Sequence, residues 1–517
     1  MKLEGIRTGP ARKLQAIGWL LAVFGVACGA AEAPVQGWLN QLTCAAQSNP
    51  NFQINDLATT PDGHTVAAGS FFGDLKLNGK KLASARGHES DAFLAAFDHL
   101  GRAAWIQTIG GPGTDGAAAV SVTANDIFVA GRKTGAETGV GQAGTGPEGQ
   151  YLFLACYGND GARKWLKLMP TRGLAANARV AADGAEGVYF SCPIRREIEI
   201  GGRQFKPDSS SASLTAKFDG QGRSLWVRKF DARVAGLAPD GARGVLICGL
   251  FLERVSLDGV TLVNTSGRHN AFIARLNDRG RVSWAKPIGS RHVSAATAIV
   301  SEPAGMIYVS GYGAGIIAAG SAETRIPLIR LRPTQQQRRE LAIKPRNLPL
   351  SQRLPVVPYT DSENWGLSLS RGFFLGRFDL NGECHWLRSG AFGQSAASRI
   401  VNNKDHGPVA IGSARARLQA EDRLLDPGSR NGSFAAHYSP DGDLRWLARV
   451  GFGGDTRTGR DARFHITAAA AEDGWVRLAG FCEGAGVVGP FKLNGNSRKV
   501  FIVSVPLQSL QPRGKPE

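Results

Sequence analysis

Between residues 91 and 105 (DAFLAAFDHLGRAAW), large and small apolar side chains alternate at a spacing of two, break at a polar turn, and resume at a tryptophan. The pattern recurs in phase down the chain. In each copy a tryptophan stands four residues after a glycine: Gly101/Trp105, Gly161/Trp165, Gly222/Trp226, Gly280/Trp284, Gly382/Trp386 and Gly442/Trp446. Phe93, Phe153, Leu214, Phe272, Phe374 and Phe434 lie eight residues before those glycines, and Ala95, Ala155, Ala216, Ala274, Gly376 and Ala436 lie six before. Strand side chains alternate faces with period two, so this alternation predicts one packed face of a β-strand. The polar segment then predicts a hairpin turn, with the tryptophan on the returning strand.

The rest of each repeat is a second pattern that ends in glycine, as in INDLATTPDGHTVAAG (to Gly69), AAAVSVTANDIFVAG (to Gly131) and VAGLAPDGARGVLICG (to Gly249). Two short strands joined by a D-G or N-D turn account for it. Small residues in its first strand, as at 116–120 and 468–471, suit a crowded place near an axis. Each repeat thus predicts four antiparallel strands, a unit that fans out as a propeller blade. The ends bear on closure. Residues 37–42 match a tryptophan strand without its hairpin partner, and 500–505 match a first hairpin strand without its tryptophan strand. A solenoid would need capped ends instead. The prediction is an all-β, seven-bladed β-propeller of four-stranded antiparallel blades, closed by the N-terminal outer strand pairing with the C-terminal strands. The repeated indoles are expected to pack between blades rather than to form a sugar-binding ring, each needing one partner for its N–H. Trp365 and Trp475 fall outside the register and are expected to be more exposed.

The repeat resembles that of bacterial exported and cell-surface seven-bladed propeller proteins, whose units read approximately D-a-F-v-a-K-l-d-x-x-G-x-x-x-W-x-x-x-x-G-G. Residues 91–111, 270–289 and 372–393 carry the likeness, which covers nearly all of 37–506 outside one insertion. The chain departs from it in two ways. Only Lys217 keeps the lysine of the first hairpin strand, and only Asp91 keeps the leading aspartate. The resemblance implies a fold and a cell-envelope setting. It brings no catalytic residues with it.

Composition adds a compartment and a charge. Lys2, Arg7, Arg12 and Lys13 precede an apolar run at 14–29 and small residues at 29–31, the form of a cleaved signal peptide. Residues 1–31 are therefore expected to be removed, 32–506 to form the propeller and 507–517 a tail. An exported protein in the periplasm, at the cell surface or secreted is expected, with lipid attachment at Cys28 as the minor alternative. No other apolar run is long enough to span a membrane. The net charge of +18 becomes +15 once four basic residues and one acid leave with the peptide. Six cysteines remain, spread through strand patterns without any C-x-x-C, so small buried hydrophobes are expected rather than a zinc site.

The spacing of 102 residues between Trp284 and Trp386 exposes an insertion at 316–370, rich in arginine and proline. Its Arg330, Arg332, Arg338, Arg339 and Trp365 are the candidate contacts to a partner, either a protein or an anionic envelope glycan such as lipopolysaccharide. A monomer is expected. Nucleic acid is set aside, since export removes the usual target. No cofactor and no metal is expected, and no G-x-S-x-G, H-E-x-x-H or P-loop is present. The repeated acids Asp98, Asp219 and Asp379 read as turn-formers, and so do the glycine-aspartate loops at 110–115 and 453–455, whose calcium reading is the weaker one. A non-catalytic binding or scaffold module is the leading expectation. A glycan-active hydrolase or lyase with acids in the central funnel is the alternative.

Overall fold

The first hairpin strands are buried along nearly their whole length, as in SDAFLAAF and QYLFLACYG, so their alternation of large and small serves packing on both faces. The computed structural model describes residues 37–511 apart from 45–51, 78–79, 85–88, 112, 136–148, 174–177, 185–186, 265–267, 328–370, 392–394, 404–405, 415–417, 426–431, 452–453, 456–459, 462 and 494–497. Gln53–Thr59 pairs with Thr65–Phe72, that strand with Ser90–Phe97, and that one with Ala103–Ile109, antiparallel throughout. Gly116–Val122, Asp126–Thr134, Gln150–Gly158 and Arg163–Pro170 repeat the order. So do the groups that begin at Arg179–Ala182, Arg233–Pro239, Val293–Ser301 and Ser395–Asn403. In the last group Arg463–Glu472, Trp475–Glu483 and Arg498–Pro506 supply three strands. The fourth is the N-terminal strand Trp38–Thr43, with Trp38 opposite Ser504 and Leu42 opposite Val500. These small antiparallel sheets form a β-propeller. Among the described residues the helix found is a single 3-10 turn, Leu507–Leu510.

The glycine-to-tryptophan spacing has a packing cause. Each turn glycine has positive φ, and each lies against the tryptophan of the preceding group. A β-carbon on Gly101 would stand 2.6 Å from Trp38, on Gly161 2.6 Å from Trp105, and on Gly442 2.9 Å from Trp386. The same turn accepts the indole proton two residues earlier: Trp105 Nε1 donates to Asn159 O, Trp165 to Gly220 O, Trp226 to Asp278 O, Trp284 to Leu380 O and Trp386 to Pro440 O, all at 2.7–2.8 Å. The motif is thus an inter-sheet joint, with the glycine of one sheet seated on the indole of its neighbour. The turn acids play their expected role. Asp98 Oδ1 accepts from the N–H groups of Leu100 and Arg102, and Asp219 and Asp379 do the same in their turns. Burial pulls Asp98 upward, but those N–H groups and the Arg102 guanidinium hold it below the usual carboxylate range.

Trp446 departs from this pattern. It is buried, yet its indole N–H has no hydrogen-bond partner among the described residues. The reason is topological: the third and fourth strands of the last group come from opposite ends of the chain, so no D-x-x-G turn joins them. Leu507 and Leu510 share its core cluster instead. Trp284→Phe should strand Leu380 O, which accepts its indole proton, whereas Trp446→Phe removes an unsatisfied donor. The first should cost about 1 kcal/mol more than the second. Denaturant titration of the two variants checks this, and equal losses would contradict the joint.

One recurrent element is not predicted by the repeat pattern. Between the second and third strands of nearly every group lies a short hairpin: Asp74–Leu77 with Lys80–Ser84, Ile198–Ile200 with Arg203–Phe205, Arg254–Leu257 with Val260–Val263, Leu418–Ala420 with Arg423–Leu425, and Gly486–Val488 with Phe491–Leu493. Several dock on the outer strand of the preceding group, with Leu77 opposite Leu42, Ala420 opposite Gly390 and Ile198 bridged to Thr171. They cover edges that would otherwise expose unpaired backbone. This corrects the insertion boundary. Residues 316–326 are not its beginning: Ile307–Ala319 runs on as a strand and turns into Ala322–Ile326, the same hairpin in its group, with Ala318 opposite Gly289. Burial of Ile317, Ala319 and Ile326 fixes it there. Bridges of this kind merge two four-stranded groups into one eleven-stranded sheet and widen the last group to six strands.

Candidate functional site

Arg330, Arg332, Arg338, Arg339 and Trp365 lie outside the described residues, as does Gly453 of the loop 453–455, whose Gly454 and Asp455 pair with Asp461 and Arg460. Arg325 is described, exposed on the hairpin strand Ala322–Ile326. Trp475 is not a free surface indole: it opens a strand opposite Glu472 and Pro506 and is half-buried.

The first strands of successive groups run beside one another. Val120 N donates to Asp56 Oδ2 at 3.0 Å, Ala182 N to Ser121 Oγ at 3.0 Å, Arg179 Nε to Ala235 O at 2.9 Å, and Ser301 Oγ to Pro239 O at 2.6 Å. Nearly every first strand also carries a bulge at the same place, between Ile54 and Asp56, Ala117 and Ala119, Val234 and Gly236, Ala296 and Ala298, Ala397 and Arg399, and Ile466 and Ala468. A bulge re-aims the residue beside it. The residues after the bulges are therefore register equivalents. Arg179, opposite Ser191 as Asp56 is opposite Ala68, takes the same place in its strand. Four of these positions hold Ala119, Gly236, Ala298 and Ala468. The other three hold Asp56, Arg179 and Arg399.

These three charges feel one another. Arg399 reaches past a neighbouring strand to donate from Nη2 to Asn55 O at 3.1 Å, beside Asp56. Its Nε is buried with no hydrogen-bond partner among the described residues. All three side chains are half-buried. Burial pushes Asp56 above the usual carboxylate range, against the pull of Arg399 and the Val120 N–H. Burial, then repulsion from Arg399, pushes Arg179 down to about 10, with Asp56 pulling the other way. Two guanidiniums against one carboxylate leave an excess of positive charge. The arrangement lacks the second carboxylate that a glycosidase pair needs. Among the described residues no group of three His, Cys, Asp or Glu could hold a metal.

A second buried charge cluster lies where the calcium reading of loop 110–115 would place an ion. The Lys133 ammonium, fully buried, donates to Gly110 O at 2.8 Å and stands 3.6 Å from Asp115 Oδ2. A β-carbon on Gly110 would stand 2.2 Å from the carboxyl carbon of Asp91, also buried. The loop holds an internal cation, the lysine, and this is why its glycines are needed. The described cysteines stand as free thiols. Burial pushes Cys156, Cys192, Cys248, Cys384 and Cys482 up to about 12, which keeps them protonated.

No family model matches the chain, and no curated protein does. Among solved structures the chain is similar to Kuenenia stuttgartiensis hydrazine synthase, with 11% identity over 80% of this chain and 95% of that one and a TM-score of 0.36. It is similar also to a Synechocystis apocarotenoid oxygenase variant, at 12% identity over 76% and 87% with a TM-score of 0.32. The Neurospora crassa Pan2 WD40 domain is a third, at 11% over 52% and 81% with a TM-score of 0.26. No correspondence of residues follows from likeness at this level.

Proposed function

We propose that the chain is an exported, closed seven-bladed β-propeller of the kind its repeat resembles, working as a non-catalytic binding or scaffold module for an anionic envelope glycan or a protein partner. The observation that carries this is the row of neighbouring first strands, on which Arg179 and Arg399 outnumber Asp56 at the positions after the bulges. Support for seven blades comes from counting each four-strand group once, including the two that share the eleven-stranded sheet. Support for closure comes from the pairing of Trp38–Thr43 with Arg498–Pro506, and from Arg477 Nη2 of the last group reaching Gly63 O of the first at 3.4 Å. The surplus of basic residues across the chain draws polyanions at long range, an attraction that salt screens.

The test is binding of residues 32–517 to lipopolysaccharide and to an acidic polysaccharide across a salt series, with and without residues 328–370. Binding that weakens steadily with salt is the expected result, and its reduction on deleting that segment would assign a share of it to the arginines there. Absence of binding at low salt would overturn the glycan part of the reading and send the search to protein partners and hydrolase substrates.

A further inference from the structure

We propose that Tyr312 and Arg371 form a binding site for the acidic group of an envelope sugar, a carboxylate or a phosphate. Arg371 takes the charge, and the Tyr312 hydroxyl takes a further oxygen. The inference rests on the anionic-glycan reading above and gives it a place. Tyr312 lies in Ile307–Ala319, opposite Phe373 and Ala295. Arg371 leads into the neighbouring strand Gly372–Phe378, and its guanidinium stands 5.3 Å from the centre of the Tyr312 ring. Against the same ring His269, which leads into Asn270–Leu276 of the preceding group, sits edge-on at 6.3 Å and 85°. Backbone bonds fix both flanks: Ser395 N donates to Arg371 O at 2.8 Å and Ser294 N to His269 O at 3.1 Å.

The polar tips are open and unspent. Tyr312 and Arg371 are half-buried, and neither the hydroxyl nor the guanidinium is enclosed, in contrast to the hydroxyls of Tyr308 and Tyr438 and the Nε of Arg377. Among the described residues neither tip has a hydrogen-bond or ion-pair partner. Stacking on the ring restrains the guanidinium and leaves its N–H edge free to donate. His269 plays a different part. Its Nε2 is enclosed, so the imidazole braces Tyr312 and does not meet the ligand. Burial, then Arg371 and Arg268, hold it below the usual histidine range, and both charges acting on it are cationic.

The last group repeats the stack with one change. Arg498 lies 4.0 Å from the centre of the Phe481 ring, and Phe481 opposite Val500 corresponds to Tyr312 opposite Phe373. There the chain supplies its own acid, since Glu483 stands opposite Arg498 as a counter-charge. The equivalent of Glu483, two residues after Tyr312, is the buried Ala314. The stack in the fifth group thus has a phenol where the other has a phenyl, and no acid where the other has one. An outside oxyanion completes that arrangement. The planar fork accounts for arginine, because it can give two parallel bonds to one carboxylate or phosphate.

Calorimetric titration of residues 32–517 with D-glucuronate and, separately, with glucose 1-phosphate tests the site and tells a carboxylate source from a phosphate one. Glucose is the uncharged probe. Binding of at least one acid at one site per chain is expected, with none of glucose at the same concentration. Arg371→Gln should weaken it about ten-fold or more, the range for losing hydrogen bonds to a charged group. Tyr312→Phe keeps the ring and its stack and should weaken it about two- to ten-fold, so the test stands even if Arg371→Gln fails to fold. Arg498→Gln should leave binding unchanged, because that arginine has its own acid. No heat with either acid, binding that Arg371→Gln and Tyr312→Phe both leave unchanged, or an equal loss in folded Arg498→Gln would overturn the site. Lipopolysaccharide binding by wild type, if it persists in that case, would leave the broader proposal standing, so the two fail separately.

Discussion

Gly280→Ala should destabilise the protein by roughly 2–5 kcal/mol, while Gly241→Ala costs about 1–2 kcal/mol. Both glycines have nearly the same backbone conformation, φ +71 and φ +76, and both sit in tight turns. An L-residue in that region pays about 1–2 kcal/mol whatever surrounds it. What differs is the neighbour. A β-carbon on Gly241 meets nothing within 4 Å, whereas one on Gly280 would lie 2.6 Å from Cδ2 of Trp226. That indole cannot step aside freely, because Nε1 is fixed to Asp278 O at 2.8 Å in the same turn. The added methyl must push neighbouring sheets apart, and overpacking of this sort costs about 1–3 kcal/mol more. Melting temperatures of the two variants at one scan rate separate the terms. Equal shifts would mean that the glycine serves turn geometry alone and that the joint with the tryptophan contributes nothing.

That joint is legible in the sequence because its two halves recur in every copy, although each glycine meets the tryptophan of the preceding copy and not its own. The glycine and tryptophan four residues apart in one copy are halves of two different joints, and their regular recurrence marks positions that pack between sheets. The hairpins between second and third strands are harder to see. Their strands are three to five residues long, and the common signal is faint: two apolar residues at spacing two before N-G, G-G or D-G, as at Leu75/Leu77, Ile198/Ile200 and Val255/Leu257. Without that signal, residues 316–326 look like the start of an insertion. The charges on the first strands are hidden for a different reason. Asp56, Arg179 and Arg399 are separated by more than a hundred residues each, and only the bulge register aligns them. The crowding of first strands is readable from alanines at 468–471, but a charged residue at one such position looks like any other polar residue in a strand.

Lys133→Met should cost about 3–5 kcal/mol near neutral pH, the penalty for removing one partner of a buried ion pair. The lysine, fully buried, is the cation between Asp115 and the Gly110 carbonyl, with buried Asp91 against the same loop. Its loss leaves carboxylates without a counter-charge in a dry place. The pH dependence carries a definite sign. Burial raises Asp115 to about 6, opposed by the Thr134 N–H and Lys133 and reinforced by Asp91. Its folded-state value thus lies above its unfolded one, so between about pH 4 and pH 6 the folded state holds more proton than the unfolded. Stability from this group therefore falls as pH rises through that window, and the loss is complete above it. Without Lys133 the folded value climbs further and the window extends upward. The deficit of the variant relative to wild type should shrink as the pH is lowered towards about 4, where Asp115 is neutral in both. Adding Asp115→Asn to Lys133→Met should restore much of the stability at neutral pH and flatten the profile. A deficit that stays constant from about pH 4 to pH 7 would show that the methylene stem of Lys133, and not its charge, is what the loop requires.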